Sequence, residues 1–417
     1  MMKPDEEAVF ATLTGAEDTL SPQESRNGLR HVAALSMTKL SDGLLNPKLV
    51  LAWLAQALGA PAVLIGLLVP IREAGALLPQ LLLARRIEAM RRRKWAWVAG
   101  SLGQGAAAAG MVVVALTLDG LAAGVALCLL LALLALARSA ASVSYKDVLG
   151  KTVAKTRRGT VTGTAGSLSA TGVILFALLL MSGLLQDVAP VTVAVAIAAG
   201  LWICAGLLFA TLEEPESTPD PATALIDLSP LREDAQFRRF VLARGALTAT
   251  ALAPPHIVML DDSGGALQAL GALVLASAAA SFASSYVWGR MADRSSRRVL
   301  VLSGLCGGIA MALAAAAGMF GLAATPWVAP VILFILMVAY HGVREGRSTY
   351  LVDMAPETAR ARYAALANTL IGGLLLLTGA LGGALAAFGP VAALAGFAAL
   401  SLVGALLALR LDEVERG

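Results

Sequence analysis

The stretch LAAGVALCLLLALLALARSAASVSYKD, residues 121–147, carries a single charged residue, Arg138, before it reaches Lys146 and Asp147. A helix rises 1.5 Å per residue, so about 20 mostly apolar residues cross a bilayer. This run is long enough and reads as a membrane-spanning helix. Working outward with the same criterion, and taking Gly, Pro, Asp and basic clusters as breaks, twelve segments emerge. They lie near 33–58, 60–83, 95–118, 121–147, 160–185, 189–211, 239–260, 265–288, 299–322, 329–352, 363–387 and 390–410. Composition agrees. The chain of 417 residues is 58% hydrophobic and 14% charged, with a mean hydropathy of +0.77, whereas soluble domains carry about 45–50% apolar and about 25% charged residues. So little charge cannot cover the cores of a water-soluble protein of this length.

The net charge of +4 does not point to nucleic acid, because the basic residues sit in short clusters between apolar runs rather than on one domain. One side of the predicted membrane holds Arg85, Arg86 and Arg91 to Lys94, then Lys151, Lys155, Arg157 and Arg158, then Arg290, Arg294, Arg297 and Arg298, then Arg360 and Arg362. The turns of the other side, among them Gly59 to Pro61, Asp119-Gly120, Ala324 to Trp327 and Gly389-Pro390, have no Lys or Arg. Positive loops stay cytoplasmic, which puts both termini inside. Residues 1–32 are acidic, lack a signal-peptide pattern and read as a cytoplasmic tail. Cys128, Cys204 and Cys306 lie in separate apolar segments with no paired spacing, so neither disulfides nor a zinc site is expected.

One long polar stretch, opening with EEPESTPDP after Leu212, reads as an extended linker. It divides the chain into a six-helix bundle at 33–211, a cytoplasmic linker at 212–238, a second six-helix bundle at 239–410 and a tail at 411–417. The halves correspond at an offset of about 206 residues: Arg138 matches Arg344 and Asp147 matches Asp353. At one less, Ala84-Arg85-Arg86-Ile87-Glu88 aligns with Gly289-Arg290-Met291-Ala292-Asp293, and Arg92-Arg93 with Arg297-Arg298. A parallel duplication explains both.

The loop GRMADRSSRR, residues 289–298, resembles the signature G-x-x-x-D-R-x-G-R-R of the major facilitator superfamily, with Ser296 in place of the usual Gly. The first half holds a degenerate copy, with Ala84 and Glu88 in the Gly and Asp places. The resemblance implies an all-α membrane protein of twelve helices in two parallel-repeat bundles. It also implies gating by loop carboxylates that pair with arginines in one conformation and release them in another. Asp293 with Arg294, Glu88, Asp147 and Asp353 are the candidates. It further suggests a coupling role for an arginine in the fourth helix, where Arg138 stands. The fifth segment, GTVTGTAGSLSATG at 159–172, lacks the proline of the superfamily's drug–proton antiporters.

Charges inside spanning segments cost several kcal/mol and are functional candidates by default. Arg72 and Glu73 lie mid-membrane in the second segment and point about 100° apart on a helix, so they should reach different partners. Lys39, Asp42 and Asn46 share one face of the first segment, and Pro47 should interrupt that helix. The tenth segment supplies Tyr340, His341, Arg344, Glu345, Arg347 and Ser348. Substrate contacts are expected from Arg72, Arg138, Tyr340, His341, Arg344, Arg347 and Asn46, and proton coupling from Asp42, Glu73 and Glu345.

No metal-spaced His or Cys cluster and no phosphate-binding glycine loop occur, so the expected protein is not an enzyme and needs no metal, cofactor or ATP. The expectation is a monomeric, proton-coupled secondary transporter of a small anionic solute in a bacterial inner membrane, in contact with lipid and with no nucleic-acid partner. Proton-driven multidrug efflux and a non-transporting membrane sensor are the alternatives.

Overall fold

The structure is a computed structural model that describes residues 4–14, 21–80, 83, 86–87, 89–154, 156–182, 188–217, 228–260, 267–292, 294–356 and 360–414. Its helices are α1 (Pro4–Thr14), α2 (Pro22–Leu44), α3 (Val50–Ala57), α4 (Ala62–Leu77), α5 (Lys94–Thr117), α6 (Gly120–Thr152), α7 (Arg158–Met181) and α8 (Ala189–Ala210). Then follow α9 (Ser229–Glu233), α10 (Ala235–Leu247), α11 (Ala249–Leu252), α12 (Pro254–Val258), α13 (Leu267–Ala292), α14 (Ser296–Met319), α15 (Val328–Met354), α16 (Arg360–Ala386) and α17 (Pro390–Leu409). No strand occurs among the described residues. Nine of these helices are long and apolar enough to cross a membrane, and the chain is an all-α integral membrane protein.

The remaining apolar helices are short or interrupted. The break expected at Pro47 is present: α2 stops at Leu44, the Asn46 side-chain oxygen accepts the Lys48 N–H at 2.9 Å, and α3 resumes at Val50. Where the sequence suggests one helix over 239–260, three helices stand, with breaks at Thr248 and at Ala253; at the second, Pro254 and Pro255 remove consecutive backbone donors. In α4, Pro70 lies inside the helix.

Two sequence expectations change. The polar tail at 1–32 is largely helical: Ser21 caps α2 by accepting the Glu24 N–H, α2 therefore begins eleven residues before the expected span, and α1 docks beside it. Phe10 anchors α1, fully buried against Gly28, Val32, Leu149 and Val161. The linker's first residues are not an extended spacer but a clasp on the first half. Glu213 pairs with Arg26 at 3.0 Å and Glu216 with Arg91 at 3.2 Å. Glu214 accepts the Arg93 and Lys94 backbone N–H groups at 3.0 and 2.8 Å, a carboxylate cap on the start of α5. Glu214→Ala should therefore destabilise the inner end of α5 by about 1–2 kcal/mol, read as faster hydrogen exchange at residues 94–97 with little change in α6. Unchanged exchange there would count against the cap.

In the first half α5 packs on α6 and α8, α2 on α7 and α8, and α4 on α6; in the second, α14 packs on α15 and α17, α13 on α15, and α10 on α17. The two sets meet along α4 with α16 and α7 with α13. Small residues set those seams. Gly379 receives the Pro70 ring, and a Cβ on Gly66 would lie 3.1 Å from His256 and 3.3 Å from the Gly383 Cα. On α13, a Cβ on Gly271 would lie 2.8 Å from both the Ala177 carbonyl oxygen and the Met181 nitrogen, so two backbones touch there. At the opposite, basic ends of the same helices, Gly163 faces open space and Phe282 is 88% exposed. The pair α7 and α13 is thus closed at one end and splayed at the other.

Candidate functional site

Between the two sets of helices lies a cavity of about 1100 Å³, walled by the α2–α3 turn, α4, α6, α7, α13 and α15. It is sealed where α7 touches α13 and open toward the end that bears the basic loops. Five cations line it, Lys48, Arg72, Arg138, Arg344 and Arg347, against two carboxylates, Asp42 and Glu73. The excess of positive charge is concentrated on α15.

Asp42 organises the first half. Its two carboxylate oxygens each take a guanidinium from a different helix: Arg72 of α4 at 2.9 Å and Arg138 of α6 at 2.7 Å. Glu73, one position on from Arg72, turns the other way to Lys48 at 3.6 Å, as adjacent residues on a helix must. Lys48 also stands 3.4 Å above the Tyr340 ring, a cation–π contact that joins the first half to α15. Lys39, which shares a face with Asp42, instead donates to the Thr162 carbonyl at 3.1 Å. Asn46 lines the cavity and also holds the turn that presents Lys48.

The second half is different. Arg344 occupies the repeat position of Arg138, but the position matching Asp42 is Thr248, and those matching Arg72 and Glu73 are Ala278 and Ala279. Consequently Arg344 is exposed to the cavity, and no hydrogen bond or salt bridge from a described residue holds Arg344 or Arg347. Behind them a crevice of about 30 Å³, room for roughly one water, is lined by Arg244, Arg344, Arg347 and Glu73. Arg244 is 5% exposed; it donates to the Asn368 side chain at 3.0 Å, and its Nε has no hydrogen-bond partner among the described residues. His341 lies beside Tyr340 with ring centroids 5.3 Å apart and also lines the cavity.

Of the residues picked from sequence, Asn46, Asp42, Arg72, Glu73, Arg138, Tyr340, His341, Arg344 and Arg347 all converge on this cavity. Glu345 does not: it is exposed and lies off the face of α15 defined by Met337, Tyr340, Arg344 and Arg347. Lys48 and Arg244 were recognisable as intramembrane cations but not as site residues; the signal for Lys48 is its place directly after Pro47 in a helix break.

The gate candidates fall elsewhere. Asp147 pairs with Arg93 at 2.7 Å and with Lys151, which also reaches Glu214 at 3.7 Å, so it belongs to the clasp at the basic end. In the second half Arg297 pairs with Glu413 at 2.9 Å. Arg294 and Asp353 are exposed there. Asp293 and Glu88 lie outside the described residues.

The described helices thus form a polytopic bundle with a charged central cavity sealed at one end. Residues 240–417 match the family model described as Major Facilitator Superfamily. The match covers the second half of the chain. Its fold is similar to that of a POT family transporter crystallised with a thioalcohol-conjugated peptide, at a TM-score of 0.70 and 13% identity over 93% of this chain and 97% of that one. It is similar to a variant of the nucleoside transporter NupG at 0.68 and 12%, over 93% and 100%. The xylose transporter XylE from E. coli in an inward open conformation aligns at 0.64 and 11%, over 94% and 96%. A search of curated protein sequences found no match.

Proposed function

We propose that this chain is a secondary active transporter that carries a small anionic solute through the central cavity by alternating access, coupled to protons. The observation that carries the reading is the unbalanced charge of a dead-end cavity, in which Arg344 and Arg347 present guanidiniums that no described residue holds in a hydrogen bond or salt bridge. Planar guanidiniums bind carboxylate or phosphate oxygens with paired, charge-assisted hydrogen bonds. The interrupted α2–α3, the short α4 and the broken α10–α12 supplement the nine long helices to twelve spans, arranged as six-helix bundles at 33–211 and 239–410 around the 212–238 connection. With the basic loops on the cytoplasmic side of a bacterial inner membrane, both termini are inside, the cavity faces inward, and one chain supplies both halves of the site.

Glu73 is the proton carrier in this reading. Ionised, it neutralises Lys48 and sits in the field of Arg347 and Arg344; protonated, it would release Lys48 and change the balance across the seam between α3, α4 and α15. Dye-reported proton movement in proteoliposomes, with organic anions and then lipophilic cations, tests this. Wild type should show anion-dependent proton flux, Glu73→Gln should lose it by more than about tenfold, and Glu345→Gln should keep it. Flux that survives in Glu73→Gln would remove Glu73 from the coupling. Flux with lipophilic cations alone would favour drug efflux, a reading that the apolar wall of Val173, Ile174 and Phe282 favours.

A further inference from the structure

The charged cavity continues into an apolar space. On α13, Leu275 and Ala279 line the cavity and also an adjoining groove of about 290 Å³ between α13 and α15. The α13 side of the groove is Ala272, Leu275, Ala276 and Ala279, one helical face, and Val331 and Phe334 stand on the α15 side. Every residue lining it is apolar. Alanine side chains are too short to meet α15 across this face, so the groove is unfilled. Through Ala272 it joins a further, mainly apolar hollow of about 390 Å³ that reaches Gln268. From Ala279 to Gln268 the path follows α13 for about 16 Å at 1.5 Å per residue. Val331 is 54% exposed on this face, so the groove opens to the bilayer.

A hydrophilic anion has no use for such a groove, and a purely apolar molecule has no use for Arg344, Arg347 and the buried, incompletely bonded Arg244 behind them. We propose that the solute is a single-chain amphiphilic anion, whose acidic head is held by Arg344 and Arg347 while its hydrocarbon tail lies between α13 and α15. The inference rests on the anion-transport reading above and narrows it. It also supplies an entry route: a tail that stays in the lipid-facing groove need not be drawn through the charged cavity, because the head can swing past Leu275 and Ala279 alone. Each methylene taken from water to the groove strengthens binding, so affinity should climb with tail length.

The test uses the full chain in lipid nanodiscs, a diazirine-bearing dodecanoate probe, mapping of adducts by mass spectrometry, and competition by dodecanoate, dodecanol and butyrate. Adducts are expected in segments 272–279 and 327–334, with dodecanoate competing at least about tenfold better than dodecanol or butyrate. Arg344→Gln should erase the advantage of dodecanoate over dodecanol, and Ala276→Trp should cut labelling in protein whose thermal unfolding is unchanged. Dodecanol competing as well as dodecanoate would reduce the groove to ordinary lipid contact and overturn the proposal. Butyrate competing as well as dodecanoate would overturn it too, while leaving the anion reading intact. No competition by either anion would remove both.

Discussion

Asp42→Asn is expected to abolish transport and to destabilise the protein by about 2–3 kcal/mol. The magnitude follows from the geometry. One carboxylate holds Arg72 at 2.9 Å and Arg138 at 2.7 Å, and its neutralisation leaves two guanidiniums facing each other in a cavity that already carries surplus positive charge. Breaking a fully buried pair costs about 3–5 kcal/mol; the side chains of Asp42 and Arg138 are 26% and 31% exposed to the cavity, and water there screens part of the repulsion. Thermal unfolding in detergent reads the stability and proteoliposome flux reads the transport. The double variant Asp42→Asn/Arg138→Gln should recover more than half of the lost stability without restoring flux, since the two residues act on one interaction. Full additivity of the two single effects would show that the pair is not coupled.

Gly271→Val is expected to shift the protein away from the conformation described. At Gly271 the α13 backbone touches the α7 backbone at Ala177 and Met181, and neither contact is with a side chain that can swing aside. Added methyl groups must force the sealed ends apart. Overpacking costs about 1–3 kcal/mol, and about 1.4 kcal/mol is a tenfold change in a two-state population. Closing the opposite ends is the compensation available to two rigid halves. Spin labels on Gly163→Cys and Phe282→Cys, across the open mouth, should therefore report shorter distances in the Gly271→Val background. An unchanged distance distribution with normal stability would mean that the α7–α13 seam does not govern which end is open.

These expectations depend on residues that the sequence could point to individually but not pair. Asp42, Arg72 and Arg138 stand out in sequence because ionised groups are expensive inside a bilayer, and all three reach the cavity. Their pairing was not legible: Lys39, three residues from Asp42 on the same face, is the nearest cation in sequence, yet it bonds a carbonyl of α7 while Asp42 takes two arginines from α4 and α6. The position of Glu345 was illegible for a related reason. In sequence His341, Arg344, Glu345 and Ser348 share one broad polar face, but a turn of 100° from Arg344 takes Glu345 off the cavity wall.

What the sequence determined by itself was the solvent and the chain's path through it. Long uncharged runs can lie only in lipid with their backbone groups bonded within helices, basic loops mark one side, and Asn46-Pro47 and Pro254-Pro255 interrupt helices wherever they are packed. Tertiary structure alone decided which charges neutralise each other, that Arg344 and Arg347 are left without a described partner, that the acidic start of the linker clasps the first half, and that the cavity is closed at one end. The physical reason is that hydrophobicity is satisfied equally by any lipid or helix neighbour, whereas ion pairs and close backbone contacts depend on helix rotation and crossing, which only the assembled bundle defines.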